Sequence, residues 1–240
     1  MDKAIEIKGL RKEYGSLVAV NNISLDVEKG KLFSLLGVNG AGKTTTIKML
    51  TGLAKPTAGD ALVMGKSIIH DISEVKKVVN ISPQDTAIAP NLTVRENLEF
   101  IAGVYNMNSE QTQERVAQII DMFALSEVEN KKAKTLSGGW KRRVSIAMAL
   151  ITEPEVLFLD EPTLGLDVLA RRELWGIIRS LKGKVTIVLT THYMEEVEAL
   201  SDMVAVMVKG EIKAVGTVGE LIERTGTVNL EEAFVKIAVE

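Results

Sequence analysis

Cysteine is absent from the 240 residues. Disulfides, thiolate nucleophiles and cysteine-based metal sites are therefore excluded, and a cytoplasmic protein is expected. A basic excess is missing too. The chain carries 29 Lys and Arg against 32 Asp and Glu, a formal net charge of −3, whereas nucleic-acid binders usually show a positive balance. No apolar run approaches the roughly 18 residues of a membrane span; stretches such as VLFL and MVAVMV are strand length. The opening MDKAIEIKGL has no apolar segment of the kind a secretory leader carries. Fixed-period repeats and low-complexity segments are also missing. Aromatics make up 4% of the chain, so an exposed ring in a polar turn draws notice.

What is present is the makeup of a soluble globular protein, 46% hydrophobic and 25% charged, enough for a sizeable core. Short apolar runs alternate with helical patterns, which implies an α/β fold with a mainly parallel sheet. KLFSLLG (31–37), VVNIS (78–82), EVLFLD (155–160) and KVTIVLT (184–190) read as buried strands. DMVAVMV and EIKAVG read as a hairpin around Lys209 and Gly210, and IEIKGL and NISLDV as an antiparallel N-terminal subsheet. Between Gln84 and about Thr152 strand signals stop and helical periodicity takes over. Residues 1–240 are thus expected to form a single domain. Its core would be 1–84 and 155–226, with a helical subdomain inserted at 85–154 and a C-terminal helix at 227–240.

The stretch GVNGAGKTT, residues 37–45, fits the phosphate-loop pattern G-x-x-x-x-G-K-[ST] between an apolar strand and a helix. Its glycines let the amides of Gly37, Val38, Asn39, Gly40, Ala41, Gly42, Lys43, Thr44 and Thr45 approach a polyphosphate. The helix beginning near Gly42 aims its positive end the same way. Lys43 would bridge the terminal phosphates, and the Thr44 hydroxyl would ligate Mg2+. EVLFLDEP places Asp160 and Glu161 at a strand's carboxyl end, the edge that faces the ligand crevice of such sheets. Asp160 suits Mg2+, and Glu161 suits the attacking water. The plain alternative for two acids after a strand is a cap on the next helix.

Three single residues are weaker signals. Tyr14, in KEYGS, could stack on a base. Gln84 ends a strand where the helical segment begins and could sense metal or water. His192 follows the strand VTIVLTT and could donate to a terminal phosphate. Each also has a plain reading as a surface or loop residue. In LSGGW, Ser137, Gly138 and Gly139 sit before the helical WKRRVSIAMAL. They are either a cap with a loop or a second amide-lined anion site. Lys141, Arg142 and Arg143 read as the polar face of that helix, or else as cations that favour the polyphosphate of a facing site.

In this order the motifs resemble the nucleotide-binding subunit of ATP-binding-cassette (ABC) transporters over nearly the whole chain. The resemblance implies a P-loop ATPase fold. GVNGAGKTT would be the Walker A loop and FLDE the Walker B strand with Glu161 as catalytic glutamate. Gln84 would be the Q-loop residue, also near the metal, His192 the switch histidine and Tyr14 the adenine-stacking ring. Leu166–Asp167 would be the D-loop. LSGGW resembles the LSGGQ signature with Trp140 in the last place. In that family Ser137, Gly138 and Gly139 would bind the γ-phosphate of ATP held by a partner. The cofactors implied are ATP and Mg2+. The partners implied are a second cassette, identical or related, packed head to tail, and a separate membrane-spanning permease. The site would then be cytoplasmic, on the inner face of the membrane, and nucleic acid is not expected. THYMEEVE and LEEAF resemble the drug-exporter-like branch, which implies export. The alternatives are a soluble ABC-type mechanoenzyme and an ATP-sensing regulator.

Overall fold

A computed structural model describes residues 2–239; Met1 and Glu240, the outer ends of the expected core and tail, lie outside the described residues. The chain opens with two long strands, β1 (Lys3–Tyr14) and β2 (Leu17–Glu28), paired antiparallel. β3 (Leu32–Leu36) follows, buried along its whole length, then α1 (Lys43–Leu50). β4 (Ala58–Val63) and β5 (Lys66–Ser67) return to β1 and complete a four-stranded antiparallel sheet in the order β2-β1-β4-β5. Next come α2 (Ile72–Val78) and β6 (Val79–Ser82). Three helices then run without an intervening strand: α3 (Val94–Val104), α4 (Ser109–Met122) and α5 (Gly138–Leu150).

The second half alternates again. It holds β7 (Val156–Asp160), α6 (Val168–Ser180), β8 (Thr186–Thr191), α7 (Met194–Leu200), β9 (Met203–Val208) and β10 (Glu211–Gly216). Two helices, α8 (Val218–Thr225) and α9 (Leu230–Val239), close the chain. The main sheet has six strands in the order β10-β9-β3-β8-β7-β6. All its pairs are parallel except the β9–β10 hairpin.

The apolar strands read as unbroken runs because both faces are covered. Along β7, Val156 and Phe158 pack toward the antiparallel sheet and α1, with Ile5, Ile23 and Ile47. Leu157 and Leu159 point the other way, toward α5 and α6, with Ile146 and Leu174. That is the two-residue period of a strand, read out as two cores. Burying each such side chain stabilises by about 1.5–3 kcal/mol.

Local chemistry fixes the helix starts in the inserted stretch. Thr93 with Glu96, and Asn108 with Gln111, form reciprocal caps on α3 and α4, each satisfying two otherwise unpaired amides. Three features differ from the sequence reading. The N-terminal strands form their own sheet with β4 and β5, two strands that the Gly- and Asp-containing AGDALVMGKS concealed. Val78 belongs to α2, so the strand expected from 78 starts at Val79. The tail helix starts at Leu230, after α8, not at 227.

Register sets the site. Leu36 at the end of β3 lies beside Thr191 of β8, and Asp160 at the end of β7 lies beside Thr190. The loop after β3, the acids after β7 and the residues after β8 therefore emerge side by side at the carboxyl edge, where sheets of this kind bind ligands.

Candidate nucleotide site

The loop between β3 and α1 is pressed against its neighbours. A Cβ on Gly37 would lie 2.4 Å from the Met207 carbonyl oxygen, and one on Gly42, at φ 105, would lie 2.5 Å from that of Ala19. Glycine is therefore required at both ends of the turn. Gly40 differs: its Cβ would meet no protein atom within 4 Å, so close packing does not demand it. Gly42 caps α1 without any side-chain hydrogen bond, and amides at such a start are suited to an anion.

Lys43 is 4% exposed. Its Nζ donates to the Gly37 carbonyl at 2.7 Å and to that of Val38 at 3.3 Å, and pairs with Glu161 Oε1 at 3.1 Å. The other oxygen of Glu161 lies 2.6 Å from His192 Nδ1, but without the angle of a hydrogen bond. Glu161 has a left-handed backbone, φ 49, uncommon for a residue with a side chain. Its N–H donates to the Thr190 carbonyl at 3.1 Å and the Thr190 hydroxyl at 3.0 Å. Asp160 Oδ1 accepts from Thr44 Oγ1 at 3.0 Å and from Thr190 Oγ1 at 2.5 Å.

A cavity of about 600 Å³ lies over this cluster, bordered by Tyr14, the loop from Asn39 to Thr45, Gln84, Glu161 and His192. That is the size range of small-molecule sites. Tyr14, at the end of β1, is half exposed, with Lys12 Nζ 4.9 Å from its ring centre. Gln84 is exposed in the loop after β6. Thr44 and Asp160 bring a hydroxyl and a carboxylate together, hard oxygen donors of the type Mg2+ prefers. Mg2+ needs few protein ligands when phosphate oxygens complete its shell, so the residues present fit Mg2+ with a polyphosphate.

Ser137, Gly138 and Gly139 stand apart, for none borders the cavity. Two expectations about this stretch change. The glycines are the first residues of α5 rather than a preceding loop, and Ser137 caps the helix through the Trp140 amide at 3.5 Å. Nor do the three cations share a polar face. Trp140 stacks under the Arg143 guanidinium at 4.7 Å, and Arg143 pairs with Glu173. Arg142, by contrast, is 4% exposed. It lies four residues before Ile146 and seven before Ala149, on the buried stripe of α5; that spacing was the available signal.

Thr190 and Glu196 were also missed. Glu196, on α7, accepts from Trp175 Nε1 at 3.1 Å. Burial pushes its carboxyl up, the Trp175 indole N–H opposing only in part.

The ABC transporter family matches residues 20–164 of the chain. ABC transporter A family member 1 of Dictyostelium discoideum is 39% identical over 227 residues, covering 92% of this chain and 26% of that protein. The linearmycin resistance ATP-binding protein of Bacillus subtilis is 38% identical over 223 residues, covering 92% of this chain and 72% of that protein. The chain thus spans about a quarter of the length of the first relative and nearly three quarters of the second. Among solved structures, an ATP-binding cassette determined as a dimer in a post-hydrolysis state with ADP and Pi superposes with a TM-score of 0.79. That cassette is 27% identical, and the match covers 89% of this chain and 98% of that one. With the phosphate loop, the paired acids and this likeness in sequence and fold, the chain belongs to the ABC transporter family as one of its ATP-binding ATPase cassettes.

Proposed function

We propose that the chain binds ATP with Mg2+ in the cavity over the β3–α1 loop and hydrolyses it to drive a membrane-spanning permease. The reading is carried by one observation: Lys43, Glu161 and His192 converge at 3.1 and 2.6 Å beside the glycine turn. Lys43 and the amides from Gly37 to Thr45 hold the phosphates. Tyr14 stacks on the base. Thr44 and Asp160, with Gln84 alongside, hold Mg2+, which supplies neutralisation of phosphate charge. Glu161 takes the proton of the attacking water. His192 stands against Glu161 on one side and reaches the terminal phosphate on the other.

Residues 85–154 act as a helical subdomain on a core of 1–84 and 155–226. Ser137, Gly138 and Gly139 serve the ATP of a second cassette packed head to tail, so each site is shared. Two features support that arrangement: these residues stand outside the chain's own cavity, and a related cassette was solved as a dimer. Closure follows from tighter ATP binding by the closed pair. No helix among the described residues is long and apolar enough to cross a membrane. Leu53, Phe100 and Tyr105 present exposed apolar surface suited to a permease docked between core and helices. The resistance relative favours export, with the cassette on the inner face of the membrane.

The test is equilibrium binding of radiolabelled ATP and phosphate release by the purified chain with Mg2+, alongside Lys43→Ala. Wild type should bind and turn over, while the variant loses ATP affinity by about tenfold or more, the scale of one charge-assisted phosphate contact. A wild-type chain that fails to retain ATP, even with its membrane partner, would overturn the proposal.

A further inference from the structure

Arg142 is fixed more completely than any cation the sequence reading assigned a role. Its Nε donates to the Pro162 carbonyl at 2.8 Å and its Nη2 to that of Asp160 at 2.5 Å. Its Nη1 donates to the carbonyls of Pro83, at 2.5 Å, and Gln84, at 3.2 Å. Two of these acceptors are the residues on either side of Glu161. The other two belong to the loop that leaves β6 for the helical stretch. All four bonds go to main-chain oxygens, so the side chain reads backbone position and not a neighbour's charge. The negative groups facing it are Asp160, Glu196 and Glu161. Burial lowers the guanidinium to about 10, which leaves it charged at neutral pH.

Glu161 needs such a clamp. Its left-handed backbone is a conformation that persists only where the surroundings over-determine it. The Thr190 contacts hold the Glu161 amide, and Arg142 holds the carbonyls before and after it. Arginine suits the task because its planar fork offers five N–H donors in fixed directions. Lysine could serve fewer of the four acceptors, and methionine none.

We propose that Arg142 is a positioning residue for ATP hydrolysis: its guanidinium holds the turn at Glu161 and the loop at Gln84 in one frame, joined to the first turn of α5. The inference rests on the ATPase reading above. ATP affinity is expected to change little, because Lys43 and the amides of the glycine turn hold the phosphates, and that turn is seated against Met207 and Ala19 while the four bonds of Arg142 go elsewhere.

The experiment compares wild type, Arg142→Lys and Arg142→Met for thermal midpoint, radiolabelled-ATP affinity, and kcat and KM of phosphate release. An ångström of misplacement at a reacting group costs up to about a hundredfold. Arg142→Met should therefore lose about tenfold or more in kcat, with Arg142→Lys between it and wild type. ATP affinity and KM should stay within about twofold in both. A kcat within about twofold of wild type in both variants would overturn the inference. So would a parallel loss of affinity and kcat in Arg142→Lys. If Arg142→Met does not fold, Arg142→Lys decides; if neither folds, the residue is structural only and the assignment falls. A wild-type chain that binds ATP yet never releases phosphate, even with its membrane partner, overturns the ATPase reading and this inference with it. Wild-type turnover with unaffected variants overturns this inference alone.

Discussion

Replacing Glu161 with Gln keeps the side chain's size and leaves an amide oxygen where Oε1 stands 3.1 Å from Lys43 Nζ. It removes the charge and the proton acceptor. A positioned general base contributes about 10²–10⁴-fold, so phosphate release should slow by that factor, about 3–5 kcal/mol of barrier. ATP affinity should hold, since Lys43 and the loop amides are untouched. Stability gives a second number. Lys43 and Glu161 are 4% and 6% exposed, and stranding one partner of a buried pair costs about 3–5 kcal/mol. Here Lys43 keeps the Gly37 and Val38 carbonyls and gains a neutral acceptor. The loss should therefore be nearer 1–2 kcal/mol, or a fall of about 2–8 °C in thermal midpoint for a chain of this length. Phosphate release, differential scanning calorimetry and size-exclusion chromatography with Mg2+ and ATP read the three effects. The variant should elute as a dimer that wild type forms only transiently. Full turnover, or a monomer at saturating ATP, refutes the reasoning.

Ser137→Arg should leave ATP binding by the isolated chain intact and abolish ATP-dependent dimerisation. Loss of the long Trp140–Ser137 cap costs no more than about 1 kcal/mol, and an equal loss of ATP affinity by the isolated chain would show that the segment does not act across an interface. Trp140→Gln should leave phosphate release intact or faster, because Arg143 retains Glu173 as its partner; a collapse in turnover would give the indole a positive role. Glu196→Gln tests a pH dependence whose sign follows from burial. Folding raises this carboxyl above its ordinary value, so the native state holds the proton more tightly. Its contribution is full below the unfolded value and is lost as pH rises through the folded one. The variant should therefore gain stability over wild type with rising pH, read as a difference in urea midpoints between mildly acidic and alkaline buffer. A constant difference across that range refutes it.

The parallel core was legible because strands buried on both faces leave unbroken apolar runs, as in β3, β7 and β8. The nucleotide cluster was legible for a related reason. A phosphate loop needs glycines at positions where a Cβ would strike Met207 or Ala19, and that need is written in spacing. β4 and β5 were hidden because Gly59 and Asp60 interrupt the apolar pattern of β4, and β5 is only the two residues Lys66 and Ser67. Arg142 was hidden because charge usually marks solvent, and its acceptors are carbonyls distant in sequence. Nothing in Pro83, Gln84, Asp160 or Pro162 as residue types announces a guanidinium. The Lys43–Glu161 and Glu161–His192 contacts depend on the register of β3, β7 and β8, which pattern alone does not supply.

The two indoles occupy different settings: Trp140 lies under the Arg143 guanidinium at the start of α5, and Trp175, with Arg171 farther from its ring, donates to the buried Glu196 carboxyl of α7. Their emission should differ in colour and in quenching. The chain thus carries an optical gauge of its own: the proposed docking of a second cassette at α5 would be read at one ring against the other, with no dye attached.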